Sequence, residues 1–229
     1  ETWFQLNKAT EKELEEQRRR KNLQAPLISI VVPVYRTPEI FLREMIESVM
    51  NQTYANWELC IADASPIGAK MKEDLAKIKG KKKREAILAI PDQETELTAI
   101  IREYQGKDAR IRYEILKENK SIAENTNAAL EMATGDFAGL LDHDDLLEPN
   151  ALFEVAEKIL QDDRVDAVYT DEDKINSKGN KHLTPNMKPD FNLDLLRSNN
   201  YICHLFVVRR ILISKVGGFR KEFDGAQDY

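Results

Sequence analysis

A continuous apolar run, Phe137-Ala138-Gly139-Leu140-Leu141, ends abruptly on Asp142-His143-Asp144-Asp145. A strand buried on both faces reads as an unbroken apolar run, and such strands belong to parallel α/β sheets, where ligands gather at the carboxyl ends. Three carboxylates at that edge repel one another unless a positive charge joins them. Hard oxygen donors with no cysteine nearby suit Mg2+ or Mn2+, with phosphate oxygens completing the shell. A simpler role, capping a helix that opens near Pro149, would use one of Asp144 and Asp145. Three acids exceed that need.

The rest of the chain alternates strands and helices. Ile28 to Val32 is a β-rich run that Pro33 is expected to end, because proline cannot continue the ladder. Leu42, Met45, Ile46 and Val49 then repeat at helical spacing. Trp57 to Ala62 is a second strand with Asp63 at its carboxyl end, Arg112 to Leu116 a third, and Ser121 to Ala133 the helix that leads into the acidic run. Past it come a helix over Leu152 to Leu160, a short strand from Val165 to Tyr169 and a strand from Ile202 to Val208. This order predicts an α/β fold with a mostly parallel central sheet and helices on both faces.

Composition narrows the partners. At 229 residues the chain can bury a real core, and its net charge of -6 argues against nucleic acid as the main partner. Cys60 and Cys203 lie in apolar runs without framework spacing and read as reduced core residues of a cytoplasmic protein. His204, also in an apolar run, reads as a core histidine. No apolar stretch approaches the roughly 20 residues that span a bilayer, and no signal peptide is evident, so any membrane contact is expected to be peripheral.

Two segments stand apart. Residues 1–25 read as a charged helical extension, with Glu15/Arg19 and Glu16/Arg20 at i,i+4 spacing in the favourable order. Trp3, Phe4, Leu6 and Leu14 are available to dock it on the domain or on an upstream region. A start inside a charged helix, without an initiator methionine, reads as an excised piece of a longer chain. Between Pro66 and Thr98 the pattern loosens, and Lys77, Lys79, Lys81, Lys82, Lys83 and Arg84 crowd around Gly80. Such crowding reads as a solvated segment; the sharper reading is an anionic membrane surface at the inner face of the plasma membrane, or a lipid diphosphate.

Several motifs taken in order, Ser29-Ile30-Val31-Val32-Pro33-Val34-Tyr35, Asn51-Gln52-Thr53-Tyr54, Ala62-Asp63-Ala64-Ser65, Gly135-Asp136, Leu141 to Asp145, and Gly217-Gly218-Phe219 followed by Gln227-Asp228, closely resemble glycosyltransferase family 2. Asp171-Glu172-Asp173-Lys174, Lys188-Pro189-Asp190 and Asn200-Tyr201-Ile202 further resemble its bacterial subgroup that builds rhamnose-containing and other cell-surface polysaccharides. The resemblance implies the GT-A architecture over residues 26–229. Residues 26–145 would form a nucleotide-binding half and 146–229 an acceptor half cut short at its carboxyl end.

The resemblance also implies an inverting, metal-dependent transfer of sugar from a UDP- or dTDP-sugar to a saccharide or lipid-linked saccharide. Pro33 and Tyr35 would border the nucleotide base, and Asp63 would accept a hydrogen bond from its imide. Asn119 and Asn127 would lie on the donor-site helix, although Ser121 and Thr126 replace the Gly and Arg often found there. Asp142 would meet the ribose or the metal shell, with His143 a spacer in the nucleotide site. Asp144 would be the principal ligand of Mn2+ or Mg2+. Asp228 would be the general base, and Asp171, Glu172 and Asp173 would contact sugar hydroxyls or form a charged turn. The alternatives are a noncatalytic nucleotide-binding scaffold and a sugar-phosphate nucleotidyltransferase; the latter needs a Gly-rich phosphate loop, and Val31 to Thr37 contains no glycine.

Overall fold

The computed structural model describes residues 2–20, 25–176, 179 and 181–225, apart from the side chains of residues 2, 3 and 7. In chain order the helices are α1 (Thr2–Asn7), α2 (Glu11–Arg19), α3 (Glu39–Met50), α4 (Gly68–Glu73), α5 (Lys81–Ala89), α6 (Thr98–Lys107), α7 (Ile122–Met132), α8 (Ala151–Gln161), α9 (Leu193–Ser198) and α10 (Arg210–Val216). The strands are β1 (Ile28–Val34), β2 (Trp57–Asp63), β3 (Ile111–Ile115), β4 (Phe137–Leu140), β5 (Ala167–Tyr169), β6 (Glu172–Ile175), β7 (His182–Asn186) and β8 (Phe206–Arg209). Six of them form one sheet in the order β3-β2-β1-β4-β8-β5, and β6 and β7 make a separate hairpin. β3, β2, β1 and β4 run parallel, whereas β8 is antiparallel to both of its neighbours.

Strand alternation divides the core into two layers. Ile28, Ile30, Val32 and Val34 of β1, with Leu59 and Ile61 of β2, pack against Leu42, Met45, Ile46 and Val49 of α3, Ile101 and Tyr104 of α6, and Leu152 and Val155 of α8. On the other face Val31, Cys60, Ala62 and Leu140 meet Ala129 and Ala133 of α7. Small side chains on this second face let α7 approach the sheet closely. Cys60 is a free, fully buried thiol, and burial pushes it up to about 12.

Pro33 does not end β1. Pairing with β2 continues through Pro33↔Ala62 to Val34↔Asp63. The Val31 carbonyl accepts the Leu141 amide and the Val34 carbonyl accepts that of Ala64, so alternate residues address β4 and β2 in turn. Position 33 therefore turns toward β4, whose pairing with β1 has already stopped at Leu140. The missing N–H falls where the ladder has no partner, the one arrangement an inner strand tolerates.

At the opposite edge a buried carboxylate ties three elements together. Glu58 accepts hydrogen bonds from Ser29 Oγ (2.7 Å), the Thr134 amide (2.5 Å) and the Gly135 amide (3.2 Å), and pairs with Arg112 at 3.0 Å. Burial pushes its carboxyl up, but Ser29, Thr134 and Arg112 outweigh that cost and hold it below the usual range. Gly135 leaves no room for a side chain here, since a Cβ would lie 2.5 Å from the Leu27 carbonyl.

The extension docks on the domain. Thr10 and Glu13 form a capping box at the start of α2, and Leu14 is 4% exposed. Gln17 bonds Thr53 (2.7 Å) and Glu154 (3.2 Å). Glu15 pairs with Arg19 as the spacing predicts, but Arg20 reaches across to Glu157 and Glu16 pairs with Lys12 instead. Tertiary partners on α8 displaced the local pair. Of the remaining apolar candidates, Phe4 stacks on His182 of the hairpin, Leu6 stays 79% exposed, and the Trp3 side chain lies outside the described residues.

The loosened region is helical rather than open, because α4 and α5 form a closed excursion. Its ends are pinned by the Gly68 amide to the Glu94 carbonyl (2.7 Å) and the Ala69 amide to the Asp92 carbonyl (3.1 Å). The basic residues around Gly80 are solvent-exposed, as expected.

Candidate active site at the carboxyl ends of β1 and β4

The chain leaves β1 for β2 and β3 on one side and returns to β4 on the other. The strand order therefore reverses between β1 and β4, the point where a crevice opens in such sheets. Past the last β1–β4 pair, Pro33, Leu141 and Asp142 line a cleft with Thr126 of α7, His204 and Phe219. Asp144 and Asp145 cap no helix, because α8 begins at Ala151 with Asn150 before it.

Asp142, Asp145 and His204 bring one donor atom each to within 4.8 Å of one another. His204 Nε2 lies 3.5 Å from Asp142 Oδ2, and its Nδ1 is buried without a hydrogen-bond partner. Burial first, then the neighbouring Asp142 charge, holds the Asp145 carboxyl above its usual range, with His204 opposing. Two crowded carboxylates and an imidazole whose Nε2 faces Asp142 fit a divalent cation, which would relieve the repulsion. An imidazole in the set favours Mn2+ over Mg2+, which prefers an all-oxygen shell. Asp144 stands apart, 56% exposed at its side chain and 3.7 Å from His143 Nδ1.

His204 is not a core histidine. The strand expected from Ile202 begins only at Phe206, so His204 sits on the approach to it, half-buried beside Asp142. The apolar flanks Ile202 and Leu205 hid this, being 8% and 4% exposed on either side of a residue that faces the cleft. Its backbone is held by two groups sequence reasoning left out of the site or assigned otherwise. Glu172 accepts the His204 amide N–H, and Lys188 Nζ donates to the His204 carbonyl at 2.9 Å. Asp171 Oδ1 accepts the Lys188 amide at 2.7 Å, and Asp173 pairs with His182 at 2.8 Å. The residues expected at sugar hydroxyls thus make internal bonds that brace the hairpin against the segment before β8.

Asp63 ends β2 and is wholly buried. Its Oδ1 accepts the Ser65 amide (2.8 Å), and its Oδ2 accepts Thr95 Oγ1 (2.5 Å) and the Tyr113 hydroxyl (2.9 Å). Burial and the Asp63 charge hold the Tyr113 phenol above its usual range. A carboxylate can accept about four hydrogen bonds, so these three fill most of its capacity. Asp63→Ala should leave the Ser65 amide without its acceptor and the Thr95 and Tyr113 hydroxyls with only Thr98 and each other, lowering stability by roughly 2 kcal/mol, checked by denaturant unfolding. A loss under about 0.5 kcal/mol would show that the network contributes little. Tyr35, 41% exposed at the end of β1, carries the Arg36 guanidinium 5.5 Å from its ring centre.

On α7, Ser121 is the N-cap and accepts the Glu124 amide. Asn119 is exposed and accepts from Asn125 at 2.8 Å. Asn127 is committed to structure: its Nδ2 donates to the Phe219 carbonyl (2.8 Å) and its Oδ1 accepts the Phe219 amide (2.9 Å). Gly218 permits this bracket, since a Cβ there would come within 2.8 Å of Asn127 Oδ1 and its φ is +77°. Asp224 Oδ1 then accepts the Ala123 amide at the start of α7. Asp228 lies outside the described residues.

A mostly parallel sheet whose order reverses between β1 and β4, with an antiparallel strand beyond, has the GT-A architecture of its structural neighbours. S. aureus TarS residues 1–349, solved in complex with UDP, superposes with a TM-score of 0.63 at 17% identity over 88% of this chain and 52% of that one. The mannosyltransferase PcManGT of Pyrobaculum calidifontis, solved with GDP-Man and Mn2+, gives 0.52 at 18% identity over 90% and 53%. The sequence model of glycosyl transferase family 2 matches residues 29–82 and 69–217, and the chain belongs to that family. The O-antigen biosynthesis protein RfbC of Myxococcus xanthus is 38% identical over 205 residues, 89% of this chain and 14% of that protein. An uncharacterized protein of Sinorhizobium fredii is 41% identical over 204 residues, 89% of this chain and 20% of its own length. The chain thus spans a fifth or less of these two relatives.

Proposed function

We propose that this chain is an inverting, metal-dependent glycosyltransferase module that moves a sugar from a UDP- or dTDP-sugar to a saccharide acceptor during bacterial cell-surface polysaccharide synthesis. The observation that carries the reading is the trio Asp142, Asp145 and His204 at the β1–β4 crevice. The family, and the likeness to a protein named for O-antigen biosynthesis, support the substrate class.

Asp142, Asp145 and His204 would hold Mn2+, or less favourably Mg2+, and the ion would neutralise charge on the departing nucleoside diphosphate. Pro33, Tyr35 and Asp63 would receive the base, Asp63 accepting a hydrogen bond from its imide. Because uracil and thymine share that imide, this contact accepts UDP and dTDP alike. Asp228 would take the proton of the acceptor hydroxyl. The excursion from Gly68 to Pro91 carries eight lysines and arginines against three acids in a chain of net charge -6. Its exposed cations, with Leu88 55% exposed on the same helix, support peripheral contact with an anionic membrane surface. No helix among the described residues is long and apolar enough to cross a membrane.

Calorimetry with UDP and Mn2+ tests the cation site. Asp142→Asn should weaken Mn2+-dependent UDP binding by about 10- to 100-fold, and Asp144→Asn should weaken it less, because Asp144 lies outside the trio. A larger loss at Asp144 would return the principal ligand to that residue. Unchanged affinity in both would remove the cation reading.

A further inference from the structure

The side chain of Lys188 is 1% exposed, a placement lysine rarely takes unless paired. Its ammonium donates to the His204 carbonyl at 2.9 Å, reaches the Ile202 carbonyl at 3.4 Å and lies 3.5 Å from Glu172 Oε2. Glu172 in turn accepts the amide N–H of His204. One ion pair therefore grips both backbone groups of the residue that turns an imidazole toward Asp142.

Stability alone is a poor reason for such a pair. Apolar residues of similar volume commonly do as well or better than a buried ion pair, because desolvating two charges offsets much of their attraction. What apolar residues cannot supply is a donor for the His204 carbonyl and an acceptor for its N–H. The pair is anchored as well: Asp171 holds the Lys188 amide, and Asn186 donates to Glu172 Oε1 at 2.8 Å. These bonds link the β6–β7 hairpin to the segment that delivers His204, with β4 supplying Asp142 from the sheet.

We propose that Lys188 and Glu172 are positioning residues that set the His204 imidazole beside Asp142 and Asp145, so that cation affinity depends on an ammonium that does not touch the cation. This rests on reading the trio as a cation site. Both act through the backbone of His204.

The test is Mn2+ binding to the chain without donor, by calorimetry or by the paramagnetic signal of free Mn2+, alongside the melting temperature. Lys188→Met, similar in length and without charge, should weaken Mn2+ binding by about 10- to 100-fold, the usual cost of losing a group that orients a ligand. His204→Ala is the control. If it leaves Mn2+ affinity unchanged, the cation reading itself falls. If it weakens binding while Lys188→Met lowers only the melting temperature, the cation site stands and the positioning inference is overturned. Should Lys188→Met fail to fold, Glu172→Gln keeps an acceptor for the His204 N–H and removes the countercharge; about a 10-fold loss is expected, and unchanged affinity counts against the inference. Adding Lys188→Met to His204→Ala should cost little more than His204→Ala alone, because both act through one ligand. Full additivity would overturn the shared route.

Discussion

Asparagine in place of Asp228 is expected to cut sugar transfer by about 100- to 10,000-fold, the range for losing positioned proton transfer, with donor affinity nearly unchanged. Inversion requires one carboxylate to take the acceptor proton as the hydroxyl attacks opposite the leaving nucleotide, and an amide of the same shape cannot do so. Among the described residues, the segment before it is anchored to α7. Asn127 brackets Phe219, and Asp224 bonds the Ala123 amide, which ties the segment to the first turn of α7 beside the cleft. Product formation with a saccharide acceptor, measured beside UDP binding by calorimetry, decides the matter. Near-normal transfer by Asp228→Asn would mean that another group is the base.

Glu58→Ala is expected to destabilise the fold by about 2 to 3 kcal/mol, the usual cost of leaving buried donors without their acceptor. Ser29, Thr134 and Gly135 would each lose a buried acceptor, and Arg112 its partner. For a chain of this size the melting temperature should fall by roughly 10 °C. The same carboxylate gives a pH signature. Because its folded pKa is depressed, its stabilisation is complete above the unfolded carboxylate value of about 4.3 and is lost as pH falls from there through the folded value. Acid unfolding of Glu58→Gln should therefore be shallower than that of the wild type below that pH. A loss smaller than about 1 kcal/mol on Glu58→Ala would show that water replaces the carboxylate.

Much of this architecture was legible because β1, β2 and β4 are buried on both faces and announce themselves as apolar runs, while α3, α7 and α8 carry clear stripes. The β6–β7 hairpin was not legible. Its residues are charged or exposed on both faces, so no alternation survives to be read. α4 and α5 were hidden by lysines that the helices carry into solvent. At the candidate site, Asp142 was visible from the edge it occupies, but His204 was not, since apolar neighbours on both sides imitate a strand. Lys188 and Tyr113 were invisible as site residues for a different reason. Each acts through a long-range partner, His204 or Asp63, and sequence spacing carries no trace of which distant backbone or carboxylate a side chain will meet.

The antiparallel strand β8 has a consequence for how the molecule is made. β4 pairs with β1 on one side and with residues 206–209 on the other, and the loop that carries His204 arrives with that second partner. During synthesis the first four strands can align as soon as residue 140 has emerged, but β4 remains an open edge until more than sixty further residues follow. Contacts so distant in sequence form late, and an unpaired edge is exposed to wrong partners while it waits. The cluster of Asp142, Asp145 and His204 therefore assembles only after both stretches of chain are in place. A fragment ending near Asp145 would own two of the three clustered side chains and the bare flank of a sheet, so the crevice belongs to residues on both sides of that point.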